Sequence, residues 1–237
     1  MSMIREGLVG VMPGEKGFRW RGGEITRLEG FSDAVFAFAV TLLVVSLEVP
    51  KNFGDLLETM RGFTAFAVCF ALLAHIWSHH YRFFRRYGLQ TPWANFLNCV
   101  LLFFVLFYVY PLKFLFNITL RGGGRIEAGD ARILFVIYGC GYAAVFLVFA
   151  LLYVHAWRKR EELVLTSLER IRTQRSLIDH SAMVAVGLIS ASLAWLLPLR
   201  WVGMAGYFYF VIAAYYTAAG LVLGKRERQV ATSAHAL

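Results

Sequence analysis

Few side chains in this 237-residue chain could do chemistry, and they are bunched. Arg27, Ser32 and Asp33 stand at the head of one apolar run, and His75, His79 and His80 surround Trp77 in a second. Asn95 and Asn98 open a third run, and Asp179-His180 leads into a fifth. Carboxylates, imidazoles and amides in apolar surroundings can move protons, ligate metals, attract cations or tie helices together. Enzymatic acid–base chemistry with Asp33, His75 or His80 lacks its other parts. No nucleophile is paired with a base, and neither Gly-x-Ser-x-Gly nor His-Glu-x-x-His occurs. His75 and His79 are four apart, as zinc ligands on one helix face often are, but no third ligand accompanies them at matching spacing, so no metal site is expected. The roles that remain are cation handling and hydrogen bonding between helices where water is absent.

The elements that must position these residues are membrane helices. The chain is 59% hydrophobic and 16% aromatic against 16% charged, which leaves long stretches that water cannot solvate. Six runs are each long enough for a hydrocarbon core of about 30 Å at 1.5 Å per residue: 31–49, 63–80, 93–118, 133–155, 181–197 and 201–224. Pro50, Pro92 and Pro198 punctuate their ends, whereas Pro111 falls inside the third and should kink it. Counting the six-span order, 17 of the 24 lysines and arginines fall on the side of both termini, which the positive-inside rule assigns to the cytoplasm. The expected fold class is therefore all-α and polytopic. A cytoplasmic arm occupies 1–25, six helices occupy 26–224, and a cytoplasmic tail occupies 225–237. The net charge of +9 lies between apolar runs, where it meets the anionic inner leaflet, and requires no nucleic acid partner. Arg158-Lys159-Arg160, followed by Leu163, Leu165, Leu168 and Ile171 at near-helical spacing, suggests a basic amphipathic segment on the inner surface or else a solvated loop. Cys69, Cys99 and Cys140 sit singly in apolar runs and suggest no disulfide framework.

The opening of the first run is the most specific stretch. Thr26 with Glu29 three residues on has the form of a capping box, so a helix should begin there and carry Arg27, Phe31, Ser32 and Asp33 in its first turns. Thr41-Leu42-Leu43-Val44 begins eight residues after the aspartate. In the second run Trp77 is followed by His80 and Phe84, and in the third Asn98 is followed thirteen residues later by Pro111. Over roughly residues 25–115 this pattern resembles the transmembrane protein 175 family of potassium channels in its bacterial form.

That resemblance implies a homotetramer in the plasma (inner) membrane of a prokaryote, with the first helix of each subunit lining a path for monovalent cations and no cofactor, K+ being the permeant ion. It implies pore-narrowing side chains five, nine and twelve residues after the motif aspartate, which here are Phe38, Leu42 and Val45, with Thr41 beside them. Phe38 departs from the family's usual isoleucine or leucine. It also implies that Arg27, Phe31, Ser32, Asp33, Trp77, His80 and Asn98 serve assembly. From spacing alone, Phe38, Leu42 and Val45 share a helix face that any transmembrane helix could use for packing. The histidines of the second run, Asn95 and Asn98 could all reach Ser32 and Asp33. No Thr-Val-Gly-Tyr-Gly filter is present, and Tyr138-Gly139-Cys140-Gly141-Tyr142 lies inside a run, where helical carbonyls are already bonded. A secondary transporter is the alternative; the lack of internal repeats and of glycine-flanked broken helices speaks against it.

Overall fold

The computed structural model describes residues 18–23, 25–45, 51–121, 127–212 and 214–217. Among these the chain is all-helical, without strands: α1 (Arg27–Val45), α2 (Phe53–Tyr87), α3 (Pro92–Arg121), α4 (Ala128–Arg158), α5 (Ser167–Leu196) and α6 (Met204–Tyr207), with single 3₁₀ turns at Leu199–Trp201 and Phe208–Phe210. Three of the described helices, α3, α4 and α5, are long and apolar enough to cross a membrane. Large apolar side chains face outward along them, including Phe96, Phe103, Phe107 and Tyr110 of α3 and Leu147 and Leu151 of α4. Rows of this size are compatible with lipid and not with water. The molecule is a membrane protein.

The start of α1 is set by the expected capping box. The Thr26 N–H donates to Glu29 Oε2 (2.8 Å) and the Glu29 N–H donates to Thr26 Oγ1 (3.1 Å). A second box starts α5, where Thr166 and Glu169 exchange the same pair of bonds. α2 ends at Gly88, whose φ of +57° supplies the left-handed residue that closes a helix C-terminus. Thr91 then begins α3, its hydroxyl accepting from the Ala94 N–H (3.2 Å) and bonding His155 at the end of α4 (2.8 Å). The third helix continues through Pro111 to Arg121.

α4 and α5 form the tightest pair, because glycines let their backbones touch. A Cβ on Gly139 would lie 2.6 Å from the carbonyl oxygen of Gly187, and one on Gly187 would lie 2.7 Å from that of Gly139. α3 packs against α4 and α2 against α3, while α1 rests at the edge of the bundle on α2 and α3.

Three expectations change. The second and fifth helices are longer than their apolar runs, because both continue as polar helix beyond them. The basic segment after Arg158 is not a surface helix: residues 159–164 are a turn with Glu161, Glu162 and Val164 exposed, Leu163 and Leu165 are buried, and Leu168 and Ile171 already belong to α5. The sixth run opens as short turns over residues 199–210, with backbone angles near φ −60° and ψ −25° around 203–211, and its described residues 211–212 and 214–217 are helical. The tail 225–237 and arm residues 1–17 lie outside the described residues.

Candidate ion pathway

α1 has two unlike faces. Ser32, Phe36, Ala39 and Leu43 are buried against the bundle, at the four- and three-residue steps of one helical stripe. Opposite them, Gly30, Phe31, Ala34, Ala37, Phe38, Thr41 and Val44 are exposed. Phe38 is 56% exposed. Thr41 sits at the middle of the open face, and its hydroxyl proton is committed to the Ala37 carbonyl (3.0 Å), which leaves the oxygen lone pairs free to accept. Leu42 lies on the flank, half-buried and packed against the core. The open face therefore centres on Ala34 and Thr41, one step round the helix from a stripe through Phe38 and Leu42. The Val45 side chain lies outside the described residues.

The motif residues divide between two hydrogen-bonded groups. On the buried side, Ser32 Oγ donates to the Leu28 carbonyl (2.8 Å) and accepts from Asn98 Nδ2 (2.9 Å). Asn98 Oδ1 then meets His80 Nε2 at 2.7 Å. With the amide nitrogen already donating to Ser32, Oδ1 is the acceptor, so His80 carries its proton on Nε2. Ser32, His80 and Asn98 are each almost completely buried, and this satisfied chain joins α1, α2 and α3. On the exposed side, Trp77 Nε1 donates to Asp33 Oδ1 (2.8 Å), and the Trp77 ring stacks on Tyr81 (5.5 Å between centroids). Phe84 closes the set with its ring 4.7 Å from that of His80. Arg27 and Phe31 are exposed at the head of the helix.

His75 and His79 do not join Ser32 and Asp33. Their Nε2 atoms are 3.1 Å apart, and His79 Nδ1 lies 3.2 Å from Nε2 of His180 on α5. His180 Nδ1 is 2.6 Å from the Ser176 carbonyl, to which it must donate. Around these rings stand Phe146, Phe149 and Tyr153, a packing arrangement between helices. Among the described residues no group of three or more His, Cys, Asp or Glu is placed to hold a metal ion. Asn95 Oδ1 is buried without a hydrogen-bond partner. Asp179 accepts from Tyr215 Oη (2.7 Å).

Sequence patterning missed a clamp between the arm and the α4–α5 turn. The arm residue Phe18 is fully buried, with its ring 5.7 Å from that of Tyr87. Arg21 donates from Nη2 to Glu169 Oε2 (2.8 Å) and from Nε to the Leu163 carbonyl (2.9 Å), while the Arg19 N–H donates to Glu169 Oε1 (2.7 Å). Arg19 Nη2 bonds the carbonyl of Val164, which has a φ of +47° that β-branched residues rarely adopt. Burial pushes the Glu169 carboxyl up. Its hydrogen bonds from Arg21, Thr166 and Arg19 outweigh that and hold it below the ordinary carboxylate range. An isolated Arg–Glu pair 148 residues apart in sequence leaves no local signal.

Fold and site together define an all-helical membrane protein whose first helix offers one open face and binds its neighbours through polar side chains on the other. A family model described as the endosomal/lysosomal potassium channel TMEM175 matches residues 27–108. A potassium channel of Marivirga tractuosa is 38% identical over 247 residues, covering 97% of this chain and 99% of that protein. A potassium channel of Chamaesiphon minutus is 29% identical over 57% of this chain and 65% of its own. Among solved structures, a single-residue variant of the potassium channel MtTMEM175, in complex with a nanobody–MBP fusion protein, superposes with a TM-score of 0.79 at 38% identity and covers 92% of this chain and all of that one. A lysosomal potassium-selective channel TMEM175 homolog from Chamaesiphon minutus gives a TM-score of 0.57 at 25% identity, over 81% of this chain and 95% of that one. The chain belongs to the TMEM175 family, a family of channels and not of enzymes.

Proposed function

We propose that this chain is the subunit of a potassium-permeable cation channel in the plasma membrane of a prokaryote, with six spans and both termini cytoplasmic. The arm is 1–25, the channel domain 26–224 and the tail 225–237. Four copies surround an axis with α1 of each turned inward. The observation that carries this reading is the open face of α1. A helix at the edge of its own bundle, with Phe38 exposed and the exposed Thr41 oxygen free to accept, supports a pathway enclosed by neighbouring copies. The relatives named as potassium channels support potassium as the ion.

In this pore Phe38 rings narrow the path, with Leu42 and Val45 lining the turns beyond. Thr41 oxygens offer the ion partial negative charge where water is scarce. No carbonyl filter takes part, so selectivity rests on side chains. Arg27, Phe31, Ser32, Asp33, Trp77, His80 and Asn98 hold the first three helices in register.

Potassium flux into sealed vesicles tests the function. Purified protein should pass K+ under a voltage alone, with no coupled gradient. Uptake that demanded a second ion gradient would replace the channel by a transporter.

A further inference from the structure

The arm is stitched to its own subunit on two sides before it reaches α1. On one side its backbone lies on the C-terminal turn of α2. The N–H groups of Arg21 and Gly22 both donate to the Arg85 carbonyl (3.0 Å each), and Arg85 Nη1 donates back to the carbonyls of Gly22 (2.8 Å) and Gly23 (3.0 Å). The fit is backbone on backbone, since a Cβ on Gly22 would lie 2.8 Å from the Phe84 carbonyl oxygen. On the other side the buried Arg21 guanidinium holds Glu169 and the Leu163 carbonyl at the α4–α5 turn. Trp20 adds a ring contact with Tyr81, the residue on which Trp77 stacks. From Gly23 to the helix cap at Thr26 the chain takes three residue steps, which reach at most about 11 Å.

We propose that Arg21 is a positioning residue for conduction: by pinning the arm to α2 and to the α4–α5 turn, it keeps the start of α1 with its own subunit and away from the shared axis. The inference rests on α1 lining the pathway. The face that α1 turns to the axis in that reading carries Phe31, Ala34, Ala37, Phe38 and Val44, all exposed. Four such faces lower their free energy by closing on one another and expelling water. Contacts that tie α1 to its own bundle oppose that collapse. Along the helix they include Asp33 with Trp77, Ser32 with Asn98, and the Leu43 carbonyl with Lys113 Nζ (3.0 Å). Ahead of the helix the arm is the tether, and the start of α1 stays within the short reach of Gly23 for as long as the arm is bound. Arg21 joins both anchorages of the arm, through its N–H to α2 and through its side chain to the turn.

Single-channel recordings of Arg21→Gln, Glu169→Gln, the two combined, Arg21→Lys and Gly22→Ala test this. Arg21→Gln and Glu169→Gln should each lower open probability about fivefold, the low end of coupling between distant sites. The combined variant should fall no further, because both changes break one contact. Gly22→Ala leaves every charge in place and forces the arm off the Phe84 carbonyl, so open probability should fall there too. Arg21→Lys keeps the charge without the fork of donors and should recover part of the loss. Unit current and the K+/Na+ permeability ratio should stay at parental values throughout, since no side chain facing the path is changed. Open probability is read on channels already assembled, so a loss of stability alone lowers the number of channels and not this quantity. If Arg21→Gln or Glu169→Gln does not assemble, Gly22→Ala and Arg21→Lys carry the test. Parental open probability in the assembled variants overturns the proposal, as does a fall that Gly22→Ala does not share, which would assign the effect to charge. Phe38→Ala is recorded alongside. If it changes unit current while the arm variants leave open probability alone, only the Arg21 proposal fails. If it leaves unit current and permeability ratio unchanged, the pathway along α1 fails, and the Arg21 proposal with it.

Discussion

At the scale of single residues, Thr41 and Phe38 make different contributions to the open face of α1 and are separable by substitution. Phe38→Ala removes a large exposed ring and should raise single-channel conductance while weakening discrimination between K+ and Na+, because a wider path lets both ions keep more water. Thr41→Val keeps the shape and deletes the hydroxyl oxygen, so it should reduce discrimination with little gain in conductance. Planar-bilayer currents under bi-ionic conditions check both, and unchanged conductance and permeability ratio in Phe38→Ala would mean that the ring meets protein or lipid. Asp33 behaves differently, because its partner is Trp77 on the next helix. Trp77→Phe removes one charge-assisted hydrogen bond and should cost about 1–2 kcal/mol of stability while leaving the permeability ratio intact. Thermal unfolding in detergent reads the first quantity and reversal potentials the second. A shifted reversal potential in stably assembled Trp77→Phe would make Asp33 a group that senses the ion.

At the scale of elements, the arm and the α4–α5 turn act as one unit, joined at Glu169. Glu169 begins α5, pairs with Arg21 and receives the Arg19 N–H, all while buried. Glu169→Gln leaves Arg21 buried without its counter-charge and should cost about 3 kcal/mol. Because the folded carboxyl titrates below its ordinary value, its contribution is complete above the unfolded value of 4.5 and is lost as pH falls through the lower folded one. Melting temperature should thus be flat from neutral pH to about 5 and decline below, and Glu169→Gln should flatten the decline. A decline of the same size in the variant would assign the acid sensitivity to other groups. The fork of Arg19 and Arg21 also holds the carbonyl of Val164 in its left-handed conformation, a local cost offset by tying the approach to α1 onto the α4–α5 hairpin.

At the scale of the whole molecule, the arrangement of helices bears on the proposed assembly of several copies. The α4–α5 pair is closed by backbone contact at Gly139 and Gly187, which leaves no room between those helices for a hydrated path. α1 is peripheral and half open. Mass measurement of the detergent-solubilised protein should give four subunits, and a monodisperse monomer or dimer that still conducted would remove the shared axis from the proposal.

The membrane class, the start of α1 and the candidate motif were legible in the sequence because each is a local property. Apolar length sets the spans, the Thr26–Glu29 spacing sets the cap, and a charged motif in an apolar run marks a place where polarity is costly. The partners of those residues were not legible. Three histidines on α2 and two asparagines on α3 all had the reach to meet Ser32 and Asp33, and only the packing of three helices gave Ser32 to Asn98, with His80 behind it, and Asp33 to Trp77, while His79 went to His180 and His75 to His79. Periodicity placed Phe38 and Leu42 on one face, but a helix bears neighbours on a broad arc, so tertiary packing decided that Thr41 is central to the open side and Leu42 is its flank. The clamp from Arg21 to Glu169 and the contact from Lys113 to Leu43 join residues 148 and 70 positions apart. Hydrogen bonds across such separations depend on where whole helices lie, and no spacing within one segment records that.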